Sequence, residues 1–370
     1  MALSTIAPPA AARLSARATP ARSGSMLLQP LPLRCAALGA PLAHRTGVPA
    51  RRGMATVRAS AEPSTTSDVS SSKRGALFAD LDESCAYVKS APSSEKVTAS
   101  SEVLRSMSDL RDAGAVPSWG AALNGSLERR NVFLGELKQM GILSPDQLGT
   151  PSVRDDAAFL IATVGSTSVL ALIAGVTLPG DWGFFVPYLL GGISIGVLAI
   201  GSTAPGLLQF AINQFSQVYP DYRERCVLHE AAHFLVGYLL GVPISGYSLD
   251  VGYVHTDFVE AKLQCRLVEK KLTDEEVDVL AVLAMAGVAA EGLKYEEVTG
   301  QTGDLFDLQR ILLRSENKLS DNQQQNMTRW AVFQALSLIK SNQASYDALV
   351  AAMKERKSVA ECIKAIEAAA

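Results

Sequence analysis

The run Cys226-Val227-Leu228-His229-Glu230-Ala231-Ala232-His233-Phe234-Leu235-Val236 sets two imidazoles four residues apart, with a carboxylate beside the first. It lacks proline and is rich in helix formers, so a helix is expected. Residues four apart lie on one helix face, which lets His229 and His233 present ring nitrogens to the same ion. The pattern is that of a zinc site, and Zn2+ is the expected cofactor. Zinc lowers the pKa of a bound water towards about 7. Glu230, next to the first ligand, would take that proton as hydroxide attacks a peptide carbonyl and return it to the leaving amine. A buried His/Glu hydrogen-bond network is the alternative for the same three residues. Apolar neighbours Val227, Leu228, Phe234, Leu235 and Leu239 bury the helix, where unpaired imidazoles would be costly.

Two histidines do not complete a catalytic zinc site, which normally has three protein ligands and an open fourth position. The chain has four His: His44 falls in an N-terminal leader and His255 in a loop or strand after the helix, and both read as incidental. No His lies beyond His255, so a carboxylate is expected as the third ligand.

A second run bears on which one. Ala284-Met285-Ala286-Gly287-Val288-Ala289-Ala290-Glu291, followed by Val298-Thr299-Gly300-Gln301-Thr302-Gly303-Asp304-Leu305, resembles the second signature of the peptidase domain of FtsH-type membrane zinc proteases. The resemblance spans about Arg223 to Leu313 and implies Asp304 as the third ligand. Asp304 also opens an amphipathic helix (Leu305, Leu308, Ile311, Leu312), where an acid suits the N-terminus. A plain N-cap role therefore stays open for it, and Asp307 is the competing carboxylate. Glu291 would either orient a ligating His from behind or stand solvated at a helix end. One departure is small: Ala232 stands where the family usually has Gly. A larger one is that such proteases carry an AAA ATPase module with a G-x-x-x-x-G-K-[ST] phosphate loop, and this sequence has none. ATP hydrolysis by this polypeptide is not expected. A partner AAA ATPase or a homo-oligomer is implied by the family, with protein or peptide substrates that are pulled from a membrane or already unfolded.

These residues need elements to hold them, and the 370-residue chain is uneven in supplying them. The first sixty residues carry eight Arg, no Lys and no acid before Glu62, amid Ala, Ser, Thr and Pro. That is transit-peptide composition, and Val57-Arg58-Ala59-Ser60-Ala61 resembles a chloroplast processing site; a mitochondrial presequence is the runner-up. Cys35, Cys85, Cys226, Cys265 and Cys362 are scattered and form no C-x-x-C, which fits a reducing interior and no cysteine metal site. Cys226, one helical turn before His229, reads as a small core residue. A net charge of −3 and no recognisable motif argue against nucleic acid as a partner.

From Lys73 to Gly149 the pattern is polar, with Leu104, Met107 and Leu110, and again Phe133, Leu137 and Met140, at helical spacing. Then no charge appears from Ala157 to Leu178, nor from Trp182 to Tyr219, with Pro179-Gly180-Asp181 between. About 20 apolar residues span a bilayer, so a transmembrane hairpin is expected, its Trp182, Phe184, Phe185 and Tyr188 forming an interfacial belt. Two fully buried helices of a soluble core are the alternative. Arg154, Arg223 and Arg225 flank the pair and place both flanks on the stromal or matrix side. Between Val242 and Gln264 a small strand or edge hairpin is expected, suited to holding an extended substrate. Trp330, Phe333, Leu336, Leu338 and Ile339, then Leu349, Ala352, Val359 and Ile363, mark helical bundle core.

The expected fold is thus mainly α: a transmembrane helical hairpin followed by an α-helical FtsH-like zinc peptidase domain with a small strand element. Expected divisions are a transit peptide (1–59), a linker and helical N-terminal region (60–152), two transmembrane helices (153–205) and the peptidase domain (206–370). The expected function is a membrane-anchored zinc metalloendopeptidase in protein quality control, in the chloroplast thylakoid or inner envelope, with the mitochondrial inner membrane second. Two alternatives are a catalytically silent scaffold subunit and a site-2-type intramembrane protease. The second is weakened because no later apolar span carries a ligand motif.

Overall fold

A computed structural model of the chain describes residues 66–92, 95–124, 127–150, 152, 154–203, 205–217, 219–250, 253–258 and 272–370. The arginine-rich leader, the Val57–Ala61 segment, His44, Cys35, Cys265 and the start of the linker lie outside the described residues.

One unit carries the candidate residues and takes in the described chain up to Ser166 and from Ala211 onward. Its centre is helix α7 (Tyr222–Leu239), which bears His229, Glu230 and His233. Val227, Ala231, Ala232, Phe234, Leu235, Val236, Tyr238 and Leu239 are all buried, so α7 is apolar nearly all round and must be covered on every side. The cover is supplied by α8 (Asp274–Ala284), α9 (Ala286–Lys294), α11 (Asp321–Ser341), α12 (Gln343–Lys354) and a two-stranded sheet. In that sheet β1 (Ile244–Asp250) runs antiparallel to β2 (Tyr253–Phe258), pairing Tyr247 with Thr256, with an irregularity between Ile244 and Gly246. This is the small strand element expected after Val242. α7 stops because Gly241 takes φ +70°, a left-handed conformation that residues with a Cβ adopt poorly, and Val242 N then donates to Gly237 O at 2.9 Å.

Helices α10 (Gln301–Leu312) and α13 (Val359–Ala369) complete the C-terminal part. Local signals start several of these helices. Thr273 and Glu276 form a capping box at α8, as do Ser358 and Glu361 at α13. Of the apolar set foreseen at the C-terminus, Trp330, Leu336, Ile339, Leu349, Ala352, Val359 and Ile363 are buried.

The N-terminal helices are built into the same core. α1 (Thr66–Ser90) packs on α2 (Lys96–Asp112), β1 and α13, and a short α3 (Leu134–Gln139) packs on α11. Phe78, Leu81, Cys85, Val103, Met107 and Leu110 are buried in one continuous cluster with Tyr238, Ile244 and Ile363. The division drawn in the sequence at residue 152 is thus crossed by packing. Leu104 and Phe133 remain exposed, unlike their periodic neighbours Met107 and Leu137.

The second unit runs Thr167–Phe210. It holds most of α4 (Arg154–Thr177), all of α5 (Trp182–Thr203) and the start of α6 (Pro205–Ser216). At 1.5 Å per residue, the 24 residues of α4 and 22 of α5 reach about 36 and 33 Å, enough for the roughly 30 Å hydrocarbon layer. Both are long and apolar enough to cross a membrane. Gly180, at φ +62°, makes the turn between them, and the Thr167 and Ser194 hydroxyls meet across the pair at 2.6 Å. Ile161, Leu172, Val176, Phe184, Tyr188 and Ile195 are mostly exposed. Among the described residues little covers either helix, unlike the mostly buried helices of a soluble core.

Candidate metal centre

His229 and His233 sit one turn apart on α7, and α10 delivers Asp304 opposite them; all three are buried. The two His Nε2 atoms are 3.1 Å apart, and each lies within 3.4 Å of an Asp304 carboxylate oxygen (His229 to Oδ2 3.4 Å, His233 to Oδ1 3.3 Å). Asp304 is not an N-cap. α10 begins at Gln301 with Gly300 in the capping position, so Asp304 is the fourth helical residue and its carboxylate is free for the imidazoles. The competing Asp307 pairs with Arg310 at 3.2 Å on the cleft wall and is not among the grouped ligand atoms.

The tautomer of each ring follows from what its other nitrogen touches. His233 Nδ1 is 2.9 Å from Leu283 O, at the end of α8; a carbonyl only accepts, so Nδ1 donates. His229 Nδ1 is 2.8 Å from Glu291 Oε1, an oxygen that also accepts Gly300 N, so Nδ1 donates here too. Both Nε2 atoms are thereby turned, with their lone pairs, towards one point beside Asp304. Two facing lone pairs at 3.1 Å need a proton or a cation between them. Asp304 Oδ2 is buried without a hydrogen-bond partner, which a cation would also satisfy. His229, His233 and Asp304 are therefore a group able to bind a metal ion, their ligand atoms all within 4.8 Å of one another. Burial alone would hold both imidazoles below their ordinary pKa, but Asp304 overrides it, aided at His229 by Glu291, and both are raised, His229 well above. Conversely, burial would raise the Asp304 carboxyl, yet the two imidazoles hold it well below the usual range.

Glu291, at the far end of α9, is settled by the fold: it is 1% exposed and not solvated. Besides His229 it accepts Thr299 N at 3.1 Å and Gly300 N at 3.2 Å, and Arg225 Nη1 lies 3.6 Å away. Close approach explains two glycines. A Cβ on Gly287 would strike the His229 ring, and one on Gly300 would come within 2.5 Å of Glu291 Oε1 and 2.7 Å of His229 Cε1. Glu230 is buried next to the ligands, its Oε2 accepting the Thr256 hydroxyl of β2 at 2.7 Å.

These residues line a cleft of about 460 Å³, which His229, Glu230, His233 and Asp304 share with the apolar Val242, Val254, Phe258, Leu280, Leu283 and Ile311. His255 is on its rim, paired with Asp257 at 2.9 Å, and is not among the grouped ligands. A larger depression of about 600 Å³ between α10 and α11 contains none of the four residues.

The four residues singled out in the sequence are thus brought together. Thr256, Arg225 and the Leu283 carbonyl were not foreseen. Thr256 lies in a strand 26 residues from Glu230, and no spacing rule links the two. Comparison with protein-family models, curated proteins and solved structures returns no match to this chain.

Proposed function

We propose that the chain is a membrane-anchored zinc metalloendopeptidase of FtsH type that hydrolyses peptide bonds in protein quality control. The observation that carries the reading is the convergence of two fixed Nε2 lone pairs and an unsatisfied Asp304 oxygen at the base of a cleft that Glu230 also lines. Two imidazoles and one carboxylate, with no cysteine among them, form a donor set suited to catalytic zinc, and three protein ligands leave a position open. When bound, zinc supplies the Lewis acidity that acidifies water and polarises a carbonyl.

The protein's own residues do the rest. Leu283 O and Glu291 hold the two imidazoles in their ligating tautomers. Thr256 engages Glu230 Oε2, leaving Oε1 to take a proton from water and pass it to the leaving amine. The apolar walls of the cleft accept a side chain of an extended substrate and exclude bulk water.

In this reading α4 and α5 anchor the chain, and both flanks face one compartment, the stroma in a chloroplast membrane or the matrix in a mitochondrial one. A partner ATPase supplies any pulling force. The site-2 alternative is disfavoured because α7 carries Arg223, Glu224 and Arg225 in its first turn and a half, and is packed on by helices and sheet of its own unit.

The test is to purify the chain without its leader, measure bound zinc, and compare cleavage of an unfolded protein with that by Glu230→Gln. We expect about one zinc per chain in both and a loss of at least ~100-fold in cleavage for the variant. Zinc without Glu230-dependent cleavage would assign the chain to the silent scaffold class; no zinc would overturn the metal reading itself.

A further inference from the structure

Arg225 is a buried cation on the same helix as the metal-ligating histidines, one turn before His229, and it touches neither histidine. Its guanidinium is held on two nitrogens and on its face. Nε donates to Asp221 Oδ2 at 2.6 Å, Nη1 donates to Glu297 O at 2.8 Å and stands 3.6 Å from Glu291 Oε2, and the plane lies over Tyr295 with Cζ 3.7 Å from the ring centre. Asp221 in turn faces Arg154, the first residue of α4, at 3.9 Å, and Arg154 also pairs with Asp155 at 3.3 Å and stacks over Tyr219. The contacts form one continuous series: Arg154, Asp221, Arg225, Glu291, His229.

Glu291 is the vulnerable member of that series. A carboxylate with 2% of its side chain exposed is costly to bury without donors and a countercharge. Thr299 N and Gly300 N supply donors to it, and Arg225 supplies the countercharge. The carboxylate oxygen, held in place, accepts Nδ1–H of His229 and so leaves Nε2 as a ligand. A planar fork held through two of its nitrogens and stacked on an aromatic face can fix a partner's position in a way that a lysine ammonium cannot.

We propose that Arg225 is a positioning residue for the metal centre: braced by Asp221 and Tyr295, it fixes Glu291 so that His229 keeps its ligating tautomer, and Asp221 ties that brace to Arg154 at the foot of α4. The proposal rests on the metal-site reading above. It means that metal affinity depends on charged groups that never touch the ion.

The experiment uses the full chain without its leader in detergent, with zinc affinity read by competition against a chromogenic chelator and ligand geometry by the visible spectrum of bound Co2+. Arg225→Gln is expected to weaken zinc binding about 10- to 100-fold and to alter the cobalt spectrum. Arg225→Lys, which keeps the charge and loses the fork, is expected to recover only part of the affinity. Because a buried arginine can be needed for folding, Asp221→Asn is the second variant. It leaves Arg225 in place without its brace and is expected to weaken zinc severalfold with the same spectral change. Wild-type affinity and an unchanged spectrum in a folded Arg225→Gln or Asp221→Asn variant overturn the proposal while leaving the metal site intact. A wild-type chain that binds neither metal instead overturns the metal-site reading.

Discussion

A histidine binds a metal only through an unprotonated nitrogen, so at the residue scale the proton is the competitor for this site. Without metal, His229 and His233 are raised and Asp304 lowered, a mutual stabilisation of cation and anion. The sign of the pH dependence follows. Raised histidines stabilise the fold fully below about pH 6.5 and cease to as pH climbs through their folded values; a lowered Asp stabilises above about pH 4 and ceases to as pH falls through its folded value. The metal-free triad therefore contributes most between about pH 4 and 6.5, and a metal ion bound there would have to displace at least one proton. Zinc affinity should rise about tenfold per pH unit through the His229 titration and level off above it. Calorimetry in buffers of different ionisation enthalpy should detect the released proton near pH 6, and a pH-independent affinity from 5.5 to 8 would contradict the assignment of these side chains as ligands. The pairing of His229 with His233 was legible in the sequence because four-residue spacing on a helix is itself a geometry. Asp304 was reached through resemblance, and Glu291 stayed ambiguous because its role depends on a contact across 62 residues.

At the scale of elements, the strongest surprise is how much α1 does. Asp82 Oδ2 accepts the Ser358 hydroxyl at 2.7 Å and its Oδ1 accepts Ala360 N at 3.0 Å, so α1 supplies a cap to the last helix, 278 residues away in sequence. Glu367 on that last helix in turn accepts Ser118 N at 3.0 Å and the Tyr238 hydroxyl at the end of α7. Asp82→Ala removes a cap donated from outside the helix while the Ser358–Glu361 box remains. A loss of about 1 kcal/mol is expected, as for other caps, giving a fall of a few degrees or less in the thermal midpoint with zinc affinity unchanged. A drop above about 3 kcal/mol would mean that α1 and α13 separate altogether when the cap is lost. The sequence pattern announced helices here, and correctly. It was silent on which helix each would cap, since a capping aspartate in the middle of another helix looks like any surface acid.

At the scale of the whole molecule, the sequence suggested a peptidase domain that begins after the membrane hairpin, whereas the core is shared. Val103, Met107, Leu110, Val116 and Trp119 lie in the same buried cluster as Leu235, Tyr238, Leu239 and Ile363, and Leu143 N donates to Gly292 O at 3.1 Å beside the helix that carries Glu291. Composition could not reveal this, because a polar amphipathic helix reads the same whether its apolar stripe meets a partner protein or its own chain. A fragment of residues 206–370 would expose the apolar faces of α7 and α13, at about 25 cal/mol for every Å² uncovered. We expect it to lose the cooperative thermal transition and to bind zinc weakly or aggregate. A second polypeptide, with 66–150 linked flexibly to 206–370 and the hairpin omitted, should melt cooperatively and bind zinc. Restoration by the N-terminal helices would show that they are structural parts of the metal-binding unit. If instead residues 206–370 alone melt cooperatively and bind zinc as tightly as the longer polypeptide, the N-terminal helices are accessory and the shared core contributes little to holding His229, His233 and Asp304 together.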